Sequence, residues 1–191
     1  LAARERVARA CERAGRSADE VEIIAVSKTF PPEVVELAQQ VGIATFGENR
    51  VQEAAWKIPQ CSGAPDWHFI GHLQRNKCRL AVDLFGTIHS VDSLKMLNTL
   101  ERVCGETGAR PTVLLEINVS GEASKYGFEA SRWAADDAQR EVLWAAVAEI
   151  LTLPCLQVQG VMTMAPIVSD PEEARPVFVR LRQLRDALAA D

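Results

Sequence analysis

Six short apolar runs, each followed by a stretch with helical periodicity, limit the folds open to this chain more than any other feature. The runs cover residues 21–26, 43–46, 67–70, 87–91, 112–119 and 157–163. The first five begin about 20–25 residues apart, the length of one strand plus one helix, and the sixth follows a longer connection. Between them, Val34, Leu37, Ala38 and Val41 recur at the spacing of one helix face behind Pro31-Pro32. Leu94, Leu97, Glu101 and Cys104 do the same after Asp92, a good N-cap, and Val177, Leu181, Leu184 and Leu188 form a third stripe. Residues 1–14 read as an extra leading helix stopped by Gly15.

Strands and helices that alternate this regularly form a mainly parallel sheet covered by helices, so the fold class is α/β. A doubly wound dinucleotide fold would carry Gly-x-Gly-x-x-Gly after the first strand, and none is present. A (β/α)8 barrel of the TIM type fits the period better. Eight units take ~250 residues, however, and about six fit in 191. Six such strands leave two open edges. The expectation is a single barrel domain over 1–191 that stops at a helix where a seventh strand is due, two βα units short.

With 48% hydrophobic and 25% charged residues the composition is that of a folded chain and not a disordered one. Lys+Arg 21 against Asp+Glu 26 gives −5, which argues against a nucleic-acid or anionic-membrane surface. The five cysteines (Cys11, Cys61, Cys78, Cys104, Cys155) are odd in number, with no Cys-x-x-Cys pair. Free, mostly buried thiols in a reducing cytosol fit them better than disulfides or a zinc site. No signal peptide or ~20-residue apolar span is evident, so the expected location is cytoplasmic.

Lys28 ends the first apolar run, one residue past Ser27. A lysine where a buried strand gives way to a helix sits at the mouth of a parallel α/β sheet, where ligands bind. Partial exclusion of water there would lower its pKa from ~10.4 and free the amine to attack a carbonyl. The plainer reading is a charge that reaches solvent at a strand end. Polar clusters follow the next four runs, Gly47-Glu48-Asn49-Arg50, Gly71-His72-Leu73-Gln74-Arg75-Asn76-Lys77, Ser90-Val91-Asp92-Ser93 and Ser120-Gly121-Glu122-Ala123-Ser124-Lys125-Tyr126-Gly127, and Met162-Thr163-Met164-Ala165-Pro166 closes the sixth. One such cluster is a cap or turn, but several at the same end of successive strands point to one shared mouth. His68 and His72 are four apart, but they read as a strand running into a loop, not a metal-binding helix pair. Glu48 and Glu116 are a candidate carboxylate pair, and Met162 and Met164 are expected to share a strand face and pack.

Ala25-Val26-Ser27-Lys28-Thr29, Phe46-Gly47-Glu48-Asn49-Arg50-Val51-Gln52-Glu53 and Trp67-His68-Phe69-Ile70-Gly71-His72 together resemble the pyridoxal-phosphate (PLP) homeostasis protein family. Ile88-His89-Ser90-Val91-Asp92-Ser93, Glu116-Ile117-Asn118-Val119-Ser120 and Gly160-Val161-Met162-Thr163-Met164 continue the match in order. The resemblance implies a barrel similar to the alanine racemase N-terminal domain, with pyridoxal 5'-phosphate held as an aldimine on Lys28. It also implies contacts from Asn49, His89, Asn118 and Met162, and no metal. The implied role is non-catalytic: supply and buffering of PLP, with effects on amino-acid and keto-acid balance. PLP-dependent apoenzymes would be recipients, the chain a monomer, and neither nucleic acid nor membrane a partner. The family pattern continues with a Ser-Met-Gly-Met-Ser-like loop and an Arg-x-Gly-Thr-Ala-Ile-Phe-Gly-like segment that bind phosphate and the pyridine nitrogen. Neither occurs here.

Two other functions use the same lysine. A PLP-dependent amino-acid racemase needs acid/base groups on both faces of the substrate. Lys28 could serve one, but the sole tyrosine, Tyr126, lies in a Gly-flanked loop that reads as mobile, and no second domain is at hand to bring an opposing base. An aldolase-like barrel would use Lys28 on a keto substrate without PLP.

Overall fold

The structure, a computed structural model, describes residues 2–190. Leu1, expected in the leading helix, and Asp191 lie outside the described residues. In chain order the elements are α1 (Ala2–Arg13), β1 (Ala25–Val26), α2 (Pro32–Gln40), β2 (Thr45–Glu48), α3 (Val51–Lys57), β3 (Asp66–Phe69) and α4 (Cys78–Leu84). Then come β4 (Thr87–Val91), α5 (Leu94–Thr107), β5 (Thr112–Asn118), β6 (Phe128–Glu129), α6 (Asp137–Ile150), β7 (Gln157–Met162) and α7 (Arg175–Leu188). Every strand pairing is parallel. The order is β1-β2-β3-β4-β5, and β5 then carries β7 along Thr112–Glu116 and the short β6 at Ile117 and Asn118. These are the six expected βα units with one added rung. Among the described residues β1 has no neighbour beyond β2 and β7 none beyond β5, so the sheet does not close.

Alternation along the strands sorts their side chains onto two faces. Phe46, Trp67, Phe69, Ile88, Val113, Leu115 and Ile117 are buried against the helices. The residues between them, among them Val26, Gly47, His68, His89 and Glu116, face the other way, toward what would be the lumen of a closed barrel. Leu97, Leu100 and Cys104 of α5 are fully buried over this sheet. Each leucine contributes about 1.5–3 kcal/mol of burial. Glu101, on the same stripe, accepts the backbone N–H of Cys155 and so ties α5 to the chain entering β7. All five cysteines are free thiols.

Four expectations need correction. In α2 the buried residues are Pro32 and Val35, whereas Val34, Leu37 and Val41 are exposed. Beside an open sheet edge the helix has only one neighbouring surface, and its short buried face turns that way. The N-cap of α5 is Ser93, whose Oγ accepts from the Met96 N–H, and Asp92 instead accepts from the Ser93 hydroxyl. β1 forms only at residues 25–26, because a strand paired on one side alone keeps few ladder bonds. Met164 lies past the end of β7 and is 56% exposed, so it does not pack with Met162.

Candidate functional site

The end of β1 is clamped from behind by charge. The Ser27 N–H donates to the Gly47 carbonyl at 3.1 Å, and the Ser27 hydroxyl to Oε1 of Glu48 at 2.7 Å. Lys57, at the last turn of α3, donates from Nζ to the Ser27 carbonyl (2.7 Å), Glu48 Oε1 (2.6 Å) and Glu53 Oε1 (3.1 Å). Glu48 and Lys57 are both 0% exposed. Lys57 uses all three donors, whereas Glu48 accepts from Ser27 and Lys57 at Oε1 alone and its buried Oε2 has no hydrogen-bond partner. Glu53 also accepts the Thr29 N–H. Burial opposes ionisation of Glu53, but the Thr29 N–H and the Lys57 ammonium together hold its carboxyl below the usual carboxylate range.

Because Ser27 faces the helices, Lys28 turns to the opposite, inner face. Its side chain is exposed and has no hydrogen bond or ion pair among the described residues. Among the described residues β1 is an edge strand, and Lys28 just past it is exposed to solvent. The turn that follows closes with the Phe30 N–H donating to the Ser27 carbonyl, and it holds Thr29 at φ +67°. A β-branched residue in the left-handed region is strained by about 1–3 kcal/mol, and such strain concentrates at functional sites.

The other expected residues occupy distinct environments. Asn49 directly follows β2, and its Oδ1 is buried with no donor. Gly71 packs on it so closely that a Cβ there would lie 2.3 Å from the Asn49 carbonyl oxygen. His89 lies deeper: its Nε2 is 2.9 Å from Nδ1 of His68, whose Nε2 is 3.1 Å from Asp66 at the start of β3. Burial, and then the neighbouring His68, push the His89 pKa down to about 4, so the ring is neutral at pH 7. Asn118 spends its whole amide on one loop. Nδ2 donates to the Glu122 carbonyl and Glu129 Oε2, while Oδ1 accepts from Ser120 Oγ and the Gly121 N–H. With two donors and two lone pairs engaged, it organises the 119–129 loop. Met162 ends β7 opposite Glu116. Burial, with Asp92 adding to it, raises the Glu116 carboxyl above its ordinary range. No hydrogen bond joins any two of Lys28, Asn49, His89, Asn118 and Met162. Lys28 and Asn49 stand at the same end of adjacent strands, and Met162 lies on the far edge.

The proposed pairing of Glu48 with Glu116 fails, because Glu48 faces the helices and Glu116 the inner side. Tyr126 is 57% exposed, yet it stacks on His72 with ring centroids 4.1 Å apart, and His72 Nδ1 lies 3.4 Å from Asp92. The loop carrying Tyr126, expected to be mobile, is therefore fastened to the β3–α4 connection.

A family model described as alanine racemase, N-terminal domain, matches residues 2–191. Pyridoxal phosphate homeostasis proteins from Aquifex aeolicus and Pseudomonas aeruginosa are 37% and 38% identical to this chain. The first match covers 96% of this chain and 77% of the relative, the second 94% and 74%. The chain belongs to the pyridoxal phosphate homeostasis protein family. Among solved structures, PipY of Synechococcus elongatus without PLP superposes with a TM-score of 0.80 at 32% identity, covering 95% of this chain and 81% of PipY. PipY with PLP bound gives 0.77 at the same identity and coverage. Alanine racemase of Clostridium difficile, 14% identical with a TM-score of 0.64 over 90% of this chain and 45% of its own, shares the fold alone.

For a member of this family, the residues that sequence reasoning passed over are Lys57 and Glu53. A signal was present. Lys57 stands three residues after Ala54 and six after Val51, where an apolar stripe calls for another apolar side chain, and Glu53 precedes it by one helical turn. A lysine that continues a buried stripe needs a buried carboxylate, and Glu48 is that partner.

Proposed function

We propose that this chain binds pyridoxal 5'-phosphate through Lys28 and acts in intracellular PLP homeostasis, buffering the cofactor and passing it to PLP-dependent apoenzymes. The observation that carries this reading is the Lys28 amine: unpaired, reachable, and set on the inner face by a strand end clamped on both sides of it. The residues present suit the covalent end of the cofactor. A free primary amine condenses with an aldehyde, and the buried, donorless Oδ1 of Asn49 one strand away can accept a hydrogen bond from a hydroxyl or protonated nitrogen. PLP supplies the aldehyde and an electron-withdrawing ring. Lys28 supplies attachment, Asn49 an acceptor, and Met162 an apolar wall; the neutral His89 lies deeper beneath them. Asn118 enters only by fixing its loop.

The relatives, which are named homeostasis proteins, support a carrier over an enzyme. A racemase needs a second acid/base group opposite the lysine, and Tyr126 is instead spent on stacking with His72. We therefore read the protein as a non-catalytic, cytoplasmic monomer. Among the described residues no helix is long and apolar enough to cross a membrane. Borohydride reduction of the PLP-loaded protein, followed by peptide mass mapping, tests the assignment. Label on Lys28, abolished in Lys28→Arg, is expected, and label elsewhere or none would overturn it. Racemisation of amino acids well above the rate of free PLP would overturn the non-catalytic reading.

A further inference from the structure

The mouth of the sheet contains two lysines within reach of Ser27, and they have opposite fates. Lys28 is exposed and unpaired. Lys57 is fully buried, with its three donors committed to the Ser27 carbonyl, Glu48 and Glu53. The contacts this second lysine organises fall on the residues just before and just after Lys28. Besides the turn bond from Phe30, Ser27 is held by its N–H to Gly47, its hydroxyl to Glu48, and its carbonyl from Lys57. Thr29 is held by its N–H to Glu53, whose carboxylate is itself fixed by Lys57. β1 is only two residues long, so its backbone ladder supplies little rigidity at this point. The left-handed Thr29 turn is also unfavourable for a β-branched residue and will relax unless something holds it.

We propose that the buried Lys57–Glu48–Glu53 triad is the positioning device of Lys28. It locks residues 27 and 29 and thereby aims the Lys28 amine onto the inner face, setting how long PLP stays attached. The triad touches neither the lysine side chain nor the ligand; it acts through backbone. Glu53 is the informative residue because its side chain is partly exposed on α3, so its loss removes the hold on Thr29 while leaving the buried Glu48–Lys57 pair in place. The inference rests on the PLP reading of Lys28, and the experiment separates the two.

The experiment uses Glu53→Ala and Glu53→Ala with Thr29→Gly, each loaded with PLP. Release is followed by the change in visible absorbance on trapping with hydroxylamine. Glu53→Ala is expected to release PLP roughly tenfold faster, the weight of one hydrogen bond to a charged group. Adding Thr29→Gly removes the left-handed penalty and is expected to restore most of the slow release, because glycine adopts that turn freely. A merely structural role for Glu53 would move the thermal midpoint and not show this rescue. In the PLP-free proteins, hydrogen exchange at the Thr29 amide supplies a readout independent of the cofactor: protected in the parent, exposed in Glu53→Ala. Unchanged release and unchanged Thr29 exchange in Glu53→Ala would overturn the proposal, as would faster release that Thr29→Gly leaves uncorrected. If the parent protein itself takes no borohydride label on Lys28, the PLP assignment fails instead, and the Thr29 exchange result still decides whether the clamp exists.

Discussion

Nδ1 of His68 lies 2.9 Å from Nε2 of His89, and a single proton bridges the two rings only while at least one of them is uncharged. His89 is the ring kept neutral, by burial first and by its neighbour second, with a pKa near about 4 against an ordinary value of 6.5. In the unfolded chain it takes up its proton as pH falls through ~6.5, while in the folded chain it does so only near 4. Between those values the unfolded state binds more protons. The contribution to stability is therefore full above ~6.5 and is lost as pH falls toward 4. Thermal unfolding from pH 7.5 to 4 should show the midpoint falling through this window, and His89→Gln should flatten that part of the curve. An unchanged slope in the variant would contradict the assignment.

Gly71→Ala should be severely destabilising, because the new Cβ would sit 2.3 Å from a backbone carbonyl and 2.7 Å from the Asn49 Cα. Backbone cannot swing aside as a side-chain tip can, so a loss beyond about 3 kcal/mol is expected. Chemical denaturation measures it, and a loss under about 1 kcal/mol would show that the two loops separate easily.

Removing one half of the buried ion pair strands the other. Lys57→Met should cost about 3–5 kcal/mol, leaving Glu48 charged without its partner. Glu48→Leu combined with Lys57→Met should recover much of that loss, since an apolar pair fills the same interior space at lower desolvation cost. A double-mutant cycle by denaturation reads the difference, and strictly additive losses would mean that the two groups do not act as a pair.

Asn118→Ala deletes four hydrogen bonds from one loop. Stability should fall by about 1–3 kcal/mol, with faster proteolysis inside 119–129, whereas borohydride labelling of Lys28 in the loaded protein should persist. Loss of the Lys28 label with an intact loop would return Asn118 to the ligand.

The strand–helix rhythm was legible because apolar runs and turn residues are local signals. The six units, the α5 and α7 stripes and the Lys28 position at a strand end follow from them. What escaped depends on relations between distant residues. The α2 stripe was misread because Val34, Leu37 and Val41 have the periodicity of a buried face, while the helix turns Pro32 and Val35 to the sheet instead. β6 is two residues long and exists only because Ile117 and Asn118 lend it a partner. The hydrogen bonds that tie Asn118 to Ser120, Gly121, Glu122 and Glu129 are visible only once the loop is folded. Lys57 required knowing that Glu48 points backward into the helices.

The carboxylate of Glu101 has a reach beyond its own helix. By accepting the Cys155 N–H it couples α5 to the entrance of β7, across more than fifty residues of sequence. The two elements should loosen together: Glu101→Ala should speed amide exchange along 155–162 as well as within α5, and exchange confined to α5 would show that the tie carries no load.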